Sequence, residues 1–383
     1  MNHINTNTNP CSSCGLCAIS CFHDAITFGY DENGFYKPIV NESKCTDCGI
    51  CCKVCYKYLD EKFPFENTFK NKLIYAAWSK DINIVLKSSS GGVGYELTSH
   101  YCNAGYKICG VIFDAPNDVC KHIITESRED IEAIKTSKYL QSYTIEAFSQ
   151  FKKDEQYVVI GTPCQIYGLR RWIHLKKWND NFILVDFFCH GTPSFNLWKK
   201  YKEYICEKFQ LDSKWQLVNF RKKNLESKWH KNAISIQDLY GRKYEQNQAF
   251  SEDLFFKFFL NNSCLNEACH RCRLRLDHCA SDIRIADFWG AKYVANNDGV
   301  NLVIINTPKG EKVWEDIKDK LVIEKCNFED LELSQPIRYL SMNPKRSITL
   351  SELKGSKSLD KIYDKYFRRS ILCKGLSYIK KRI

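Results

Sequence analysis

The sequence lacks any apolar run long enough to cross a membrane. The longest strongly apolar stretches, such as FILVDFFC at 182–189 and NLVIINT at 301–307, have the length of a β-strand. A membrane-spanning helix needs about 20 apolar residues. The polar start, MNHINTNTNP, does not have the charged-then-apolar order of a signal peptide. We therefore expect a cytoplasmic protein that is not transmembrane.

The sequence also lacks low-complexity tracts and any motif typical of nucleic-acid binding. Its net charge of +11 comes from lysines and arginines spread along the chain, with a local excess in KYFRRSILCKGLSYIKKRI at the C-terminus. Without an accompanying motif, this charge predicts a solvated surface or a docking patch for an acidic partner or a membrane surface. We expect no nucleic-acid partner.

Cysteine, by contrast, is abundant, with 21 in 383 residues. The segments CSSCGLCAISC at 11–21 and CTDCGICCKVC at 45–55 both read C-x2-C-x2-C-x3-C. This is the spacing of bacterial two-cluster ferredoxins, in which the fourth cysteine of each run ligates the other cluster. Cys52 falls outside the register, and the sequence does not explain its presence.

This spacing predicts two [4Fe-4S] clusters. The first would be held by Cys11, Cys14, Cys17 and Cys55, and the second by Cys45, Cys48, Cys51 and Cys21. Gly15 and Gly49 fall at the same point of each array, where the backbone must fold closely around a cluster. The proline usual after each fourth cysteine is replaced by Phe22 and Tyr56. Zinc also accepts four thiolates, but two runs at this spacing favour iron–sulfur.

A third group of cysteines occurs in CLNEACHRCRLRLDHC. It contains Cys264, Cys269, Cys272 and Cys279, with arginines that would offset the negative charge of a thiolate-bound cluster. These residues could hold a third cluster or a zinc ion. The alternative is a positively charged loop facing a cofactor, with incidental thiols.

After the two arrays, short apolar runs alternate with amphipathic helical patterns, which predicts a mixed α/β or α+β body. Three strands run into glycine- or proline-containing turns that begin helices: KSSSGGVGYEL, VVIGTPCQIYGL and VDFFCHGTPSFNLW. Ligands in open α/β folds bind beyond the carboxyl ends of strands, and helix N-termini attract phosphates. Three such loops together predict one ligand pocket.

With these loops in view, the chain resembles the coenzyme F420 hydrogenase/dehydrogenase beta-subunit family over roughly residues 10–345. The resemblance rests on the paired arrays joined by DENGFYKPIV, and on SSSGGV, SKYLQS, GTPCQIYGL, DFFCHGTPS, FRKKNLESKW, SDIRIADFWG and DGVNLVIINTPKG. It implies an iron–sulfur flavoprotein that binds FAD beside its clusters. Relatives of this single-chain type occur among polysaccharide-assembly enzymes, so the substrate implied is F420 or another organic molecule.

Carried over to this sequence, the resemblance implies a flavin site beside a substrate site. His190 and Arg221 would line the substrate site as catalytic residues. The residues that the resemblance implies for the flavin are Ser89, Ser90, Gly91, Gly92, Lys138, Gly161, Thr162, Cys164 and Gln165. The lysines and arginine of FRKK would suit an anionic substrate.

We therefore predict a ferredoxin-type domain at 1–63, a flavin-binding region at 70–150, a C-terminal family domain at 151–345 and a basic helical tail at 346–383. The predicted activity is electron transfer between a ferredoxin-like partner, the clusters, FAD and a small-molecule substrate. One alternative is an electron-transfer subunit that feeds a separate enzyme, and another is an interaction protein with structural clusters. The sequence leaves open whether the chain forms oligomers.

Overall fold

The computed structural model of the chain describes residues 2–5, 10–58, 69–223, 233–246 and 252–368. These residues contain fourteen α-helices and fourteen β-strands. The strands are β1 (Ile26–Tyr30), β2 (Tyr36–Val40), β3 (Leu73–Ser79), β4 (Lys107–Asp114), β5 (Val119–Thr125), β6 (Ser142–Tyr143), β7 (Tyr157–Ile160), β8 (Phe182–Asp186), β9 (Trp215–Lys222), β10 (Ala233–Asp238), β11 (Lys243–Glu245), β12 (Ile283–Asp287), β13 (Asn301–Ile305) and β14 (Leu321–Cys326).

The helices range from single turns to four turns. They are α1 (Leu16–Ile19), α2 (Ile50–Val54), α3 (Ile82–Lys87), α4 (Val93–Asn103), α5 (Arg128–Ile134), α6 (Ile145–Phe148), α7 (Pro163–Lys176), α8 (Phe195–Phe209), α9 (Leu254–Leu260), α10 (Glu267–His270), α11 (Pro308–Ile317), α12 (Phe328–Ser334), α13 (Arg346–Lys354) and α14 (Leu359–Tyr366).

A nine-stranded mixed sheet forms the centre, in the order β14-β3-β13-β12-β8-β7-β4-β5-β6. Its middle strands β12, β8, β7 and β4 are parallel. The two central ones, β7 and β8, are apolar except for Asp186 because both faces of the sheet are covered. In β8, Ile183 and Val185 pack against α4, α5 and α11, whereas Phe182 and Leu184 pack against α6 and α7.

A second packing region lies around the antiparallel sheet β11-β10-β9. Aromatic and aliphatic side chains of α8, α9, α13 and α14 pack here against β9 and β10. The helices at 346–366 are therefore part of this core. The remainder of the predicted tail, residues 369–383, lies outside the described residues.

The two cysteine arrays have matching backbones. Gly15 and Gly49 precede α1 and α2 with φ of 81° and 73°, and Ser13 and Asp47, two residues earlier, also have positive φ. An antiparallel hairpin, β1 and β2, connects the arrays. A Cβ on Gly15 would overlap Thr144 Oγ1, so glycine also permits the close approach of this unit to the central body.

The prediction of a mixed α/β body is confirmed. The ferredoxin assignment and the domain boundaries stay predictions. Within the part of the chain that the structure describes, no helix combines the length and apolarity needed to cross a bilayer.

Candidate functional site

The first predicted cluster set lies where the arrays meet the central body. Burial raises the pKa of the Cys17 thiol well above its ordinary value, and the thiols of Cys11, Cys14, Cys55 and Cys51 raise it further. Charges shift one another's pKa strongly only at short range. Cys11, Cys14, Cys17 and Cys55 therefore lie close together.

The second predicted set lines a small cavity of its own. Cys21, Cys45, Cys48 and Cys51 all face it. Cys48 is exposed, whereas Cys14 and Cys17 of the first set are buried, so the second set is nearer to solvent. Across the described ranges, no three His, Cys, Asp or Glu side chains converge in metal-binding geometry. The thiolate-rich donor sets nevertheless have the chemistry that iron–sulfur clusters require.

A third group of thiols lies between the first set and the central body. Burial raises the pKa of Cys189, and the thiols of Cys269, Cys164 and Cys272 raise it further. Burial also raises the pKa of Cys14, with Cys164 as the next largest cause. The thiols thus continue from the first array into the body of the protein.

Polar groups point at the sulfurs of this third group. The Thr192 amide donates to Cys269 Sγ at 3.4 Å, and Tyr56 Oη donates to Cys272 Sγ at 3.9 Å. Thr162 Oγ1 lies 3.2 Å from Cys164 Sγ. Hydrogen bonds to sulfur are one means by which proteins adjust the potential of an iron–sulfur cluster.

The four cysteines of the 264–279 segment are not in one environment. Cys264 is fully buried in the aromatic core around α8 and α9, where its thiol lies 3.5 Å from Phe258 O. Cys279 contacts Ser281 Oγ at 2.9 Å and lies near the Asp186 carboxylate. The structure thus places Cys269 and Cys272 near Cys164 and Cys189, and the predicted set of Cys264, Cys269, Cys272 and Cys279 stays a prediction.

A cavity of about 580 Å³ lies beyond the carboxyl ends of β7, β8 and β12. This volume is typical of sites for small molecules and cofactors. Most of the residues implied by the resemblance line it: Ser89, Ser90, Gly92, Lys138, Gly161, Thr162, Gln165, His190 and Arg221. The structure thus brings three separate loops to one cavity.

Gly91 and Cys164, the other two residues implied for the flavin site, do not line the cavity. A Cβ on Gly91 would lie 2.7 Å from Ala77 O, and its carbonyl accepts a hydrogen bond from Ser79 N at 2.8 Å. Gly91 therefore permits the SSSGG loop to pack onto β3. Cys164 belongs to the third thiol group described above.

Two helix N-termini face the cavity. Gly92, with φ of 84°, precedes α4, and Thr162 precedes α7. Their partial positive charge favours anionic groups such as phosphates. Gly94, in the first turn of α4, lines the cavity, and an added Cβ would meet no atom within 4 Å. The missing side chain leaves room for a ligand close to the helix.

Some predicted residues also have structural roles. Gln165 Oε1 accepts from Thr162 N at 2.9 Å, completing a capping box at the start of α7. Ser89 Oγ accepts from Ser137 N at 2.9 Å, which connects the SSSGG loop to the SKYLQS segment.

Lys138 places a half-buried amino group at the cavity. Its Nζ donates to the carbonyls of Ala133 and Ile134 near the end of α5, the latter at 3.1 Å. Burial lowers the pKa of Lys138 to about 7. The side chain thus changes charge near neutral pH and requires little further desolvation to contact an anion.

Arg221 is the basic residue of FRKK that lines the cavity. Burial disfavours its charge, but the Asp287 carboxylate, 2.6 Å from Arg221 Nη1, keeps its pKa above the ordinary value. Arg221 Nη2 is buried and has no acceptor within the described residues. Lys222 pairs with Glu245, and Lys223 Nζ donates to the carbonyls of Val85, Ser90 and Asp298.

His190 is neutral at pH 7. Burial, followed by the charge of Arg275, lowers its pKa to about 4. Its Nε2 lies 2.9 Å from Asn262 Oδ1, while the Asn262 amide nitrogen donates to Ser341 O. Because this carbonyl can only accept, His190 Nε2 carries the proton.

Sequence reasoning missed several residues that line the cavity. They include Asp186 and Asp287, the last residues of β8 and β12, Arg275 from the 264–279 segment, and Trp289 and Gln335. Asp186 is held by Arg284 through two hydrogen bonds of 2.8 and 2.7 Å. The two aspartates could have been found in the sequence because each ends an apolar strand. Their proximity depends on the strand order, which the sequence does not show.

Comparison with known proteins shows which family this part of the chain is similar to. Residues 154–330 match the model that describes the C terminus of the coenzyme F420 hydrogenase/dehydrogenase beta subunit. Over these residues the chain is similar to the family that its sequence motifs resemble. The match includes the GTPCQIYGL, DFFCHGTPS and IRIADFWG segments, whose loops build the cavity.

Two individual proteins are similar over longer ranges. The coenzyme F420-dependent sulfite reductase of Methanocaldococcus jannaschii is 26% identical over 340 residues, covering 85% of this chain and 48% of that protein. The chain therefore spans about half the length of this relative. A chain from the xenon-derivatised F420-reducing [NiFe] hydrogenase complex of Methanosarcina barkeri is 18% identical, with 78% of this chain and 92% of that chain covered and a TM-score of 0.44.

Proposed function

We propose that the protein is an iron–sulfur flavoprotein oxidoreductase that transfers electrons between a carrier protein and an organic substrate. The observation that carries this proposal is the continuity of thiol groups from Cys14 through Cys164 to Cys189, which lines the large cavity. A route of closely spaced redox centres to a ligand pocket is what such electron transfer requires.

The N-terminal arrays would hold two [4Fe-4S] clusters with the ligand sets predicted from their spacing. The third group would hold a further cluster through Cys164, Cys189, Cys269 and Cys272. Basic side chains accompany these thiols: Arg275 influences Cys189, and Lys57 influences Cys269. Their positive charge would offset the negative charge of a thiolate-bound cluster.

The large cavity would hold FAD. Its size, the two helix N-termini and Lys138 suit a ligand that has both a flat apolar ring and a diphosphate. The unsatisfied Arg221 Nη2 offers a donor that a ligand oxygen would satisfy. When bound, a flavin exchanges two electrons with an organic substrate and single electrons with clusters.

The residues of the chain would bind and orient the reactants. Arg221 is fixed by Asp287, so its remaining guanidinium nitrogen is preorganised for an acceptor. His190, neutral and protonated on Nε2, is held by Asn262 and presents its ring beside the cavity. Its low pKa argues for a hydrogen-bonding role, since an imidazolium would be scarce at pH 7.

F420 is the substrate to test first, because the family and the sulfite reductase relative both carry it in their names. A substrate from polysaccharide assembly is the alternative implied by the resemblance. Of the FRKK basic residues, only Arg221 is positioned at the cavity for an anionic substrate, since Lys222 and Lys223 have partners elsewhere.

The test is anaerobic purification with quantification of iron, sulfide, zinc and released flavin per chain. We expect about twelve irons and one FAD, with reduced F420 bleaching the flavin absorbance. Iron without flavin would contradict the flavoenzyme and favour an electron-transfer subunit. Flavin that F420 does not reduce would redirect the search to other substrates.

A further inference from the structure

Phe22 and Tyr56 occupy equivalent positions, each directly after the fourth cysteine of its array. Tyr56 is buried, with its ring 5.9 Å from that of Tyr167 and its hydroxyl 3.9 Å from Cys272 Sγ. Phe22 is 69% exposed. The two ends of the array unit therefore differ, one facing the third thiol group and the other facing solvent.

The exposed ring is part of an ordered surface cluster. Lys176 Nζ, at the end of α7, lies 4.7 Å from the centroid of the Phe22 ring and also contacts the rings of Trp172 and Trp178. Leu175 beside it is 49% exposed. Exposed apolar surface that is rimmed by polar groups is typical of an interaction site.

The charge around this cluster is positive. Lys53 is exposed, and its carbonyl accepts from Arg171 Nε at 2.6 Å, which joins α2 to α7 beside the array. Lys177 is also exposed.

Nearby acids lie outside this group: Asp47 accepts from Asn2 N at 2.5 Å, and Glu42 lies 3.4 Å from His3 Nε2. Asp24 and Asp180 are exposed, so the positive charge of the surface is that of Lys53, Arg171, Lys176 and Lys177 themselves.

We propose that this surface, formed by Phe22, Lys53, Arg171, Leu175, Lys176 and Lys177, docks an acidic protein that carries single electrons. The inference rests on the proposed function, because it requires a cluster at Cys21, Cys45, Cys48 and Cys51. In each encounter, the reduced carrier would lose one electron and a cluster held by these four cysteines would gain it, without proton transfer or bond formation. Phe22, bonded to Cys21 through the backbone, would sit at the contact.

Positive charge steers an acidic partner and raises its association rate, most strongly at low salt. The apolar ring supplies contact at the centre of the interface. Tyr56, which occupies the equivalent position at the other end, is covered by protein and cannot serve a second partner. The asymmetry assigns the entry of electrons to the Phe22 side.

The experiment measures anaerobic stopped-flow reduction of the purified holoprotein by an acidic bacterial ferredoxin and, separately, by reduced methyl viologen. The variants are Phe22→Ala and Lys176→Glu, with Leu333→Ala and Lys312→Glu as controls. Leu333 is 81% exposed, and Lys312 lies on α11, which packs on the opposite face of the sheet from α7.

We expect Lys176→Glu to slow reduction by ferredoxin at least about 10-fold at low salt and to weaken its salt dependence. Phe22→Ala should slow it at all salt concentrations, with viologen rates and both controls unchanged. Equal ferredoxin rates in all variants, or a wild type that accepts electrons from viologen but not from ferredoxin, would overturn the docking proposal. If reduced viologen reduces no cluster in the purified protein, that result would instead contradict the proposed function.

Discussion

Tyr56 Oη donates a hydrogen bond to Cys272 Sγ over 3.9 Å, although the two residues are 216 positions apart. This contact joins the second array to the third thiol group. Burial raises the pKa of Tyr56 well above its ordinary value, and the Cys272 thiol is the next largest cause. The phenol thus stays protonated and can donate to sulfur at every physiological pH.

The third thiol group gives the first prediction. If Cys164, Cys189, Cys269 and Cys272 hold a cluster, Cys272→Ser should lower the iron content by about four of about twelve. Cys264→Ser is the matched control, since Cys264 is buried in the aromatic core and should leave the iron unchanged. Iron analysis with low-temperature electron paramagnetic resonance checks both. Equal loss of iron in the two variants would instead support the ligand set predicted from the 264–279 segment alone.

Adjacent cysteines in the second array give a second comparison. Cys51 lines the small cavity with Cys21, Cys45 and Cys48, whereas Cys52 does not line it and its thiol donates to Asn2 O at 4.0 Å. Cys51→Ser should therefore lose iron and Cys52→Ser should retain it. If iron content falls equally in both, the register of the array is wrong.

Local periodicity was a reliable guide to the elements of the body. The strand-length runs FILVDFFC and NLVIINT contain β8 and β13, and the helices expected to begin within VVIGTPCQIYGL and VDFFCHGTPSFNLW are α7 and α8. The sequence did not indicate β6, β11 or β14. β6 has two residues, and β14, with the sequence LVIEKC, lies at the edge of the sheet without an alternating pattern. Short or edge strands carry too little apolar pattern to be distinguished from loops.

Long-range neighbours could not be derived in the same way. Cys164 and Cys189 each follow a strand, but only the parallel pairing of β7 with β8 places those strand ends together. The sequence also could not reveal that Lys223 donates to three backbone carbonyls and is not directed at a ligand. Such assignments depend on strand order, which periodicity does not encode.

The open space at Gly94 gives a third prediction. Gly94→Ala adds a methyl group where no atom lies within 4 Å, and it should keep flavin and stabilise α4 by up to about 1 kcal/mol. Gly94→Trp should occupy the cavity and exclude flavin while leaving the iron content unchanged. Flavin fluorescence after release, measured beside iron, distinguishes the two variants. Full flavin in Gly94→Trp would show that the ligand does not use this side of the cavity.

The charge of Lys138 gives a fourth prediction, on pH. Because burial lowers its pKa to about 7, the ammonium is present below that pH and is lost as pH rises through it. A contact between an ammonium and a phosphate contributes roughly 1.5–3 kcal/mol, or about 10- to 100-fold in affinity. FAD affinity of the wild type should thus fall as pH rises from 6 to 9, with a midpoint at or above about 7, since a bound anion raises the pKa.

Removal of the Lys138 amino group should abolish this fall of FAD affinity with pH. Lys138→Met should bind FAD weakly and with little pH dependence between 6 and 9. Lys135→Met is the control, because Lys135 also lines the cavity but its ammonium pairs with Glu132 and lies 4.5 Å from the centroid of the Tyr95 ring. Fluorescence titration of FAD into deflavinated protein measures all three profiles. If FAD affinity still falls with pH in Lys138→Met, another group is responsible for the pH dependence and Lys138 does not contact the phosphate.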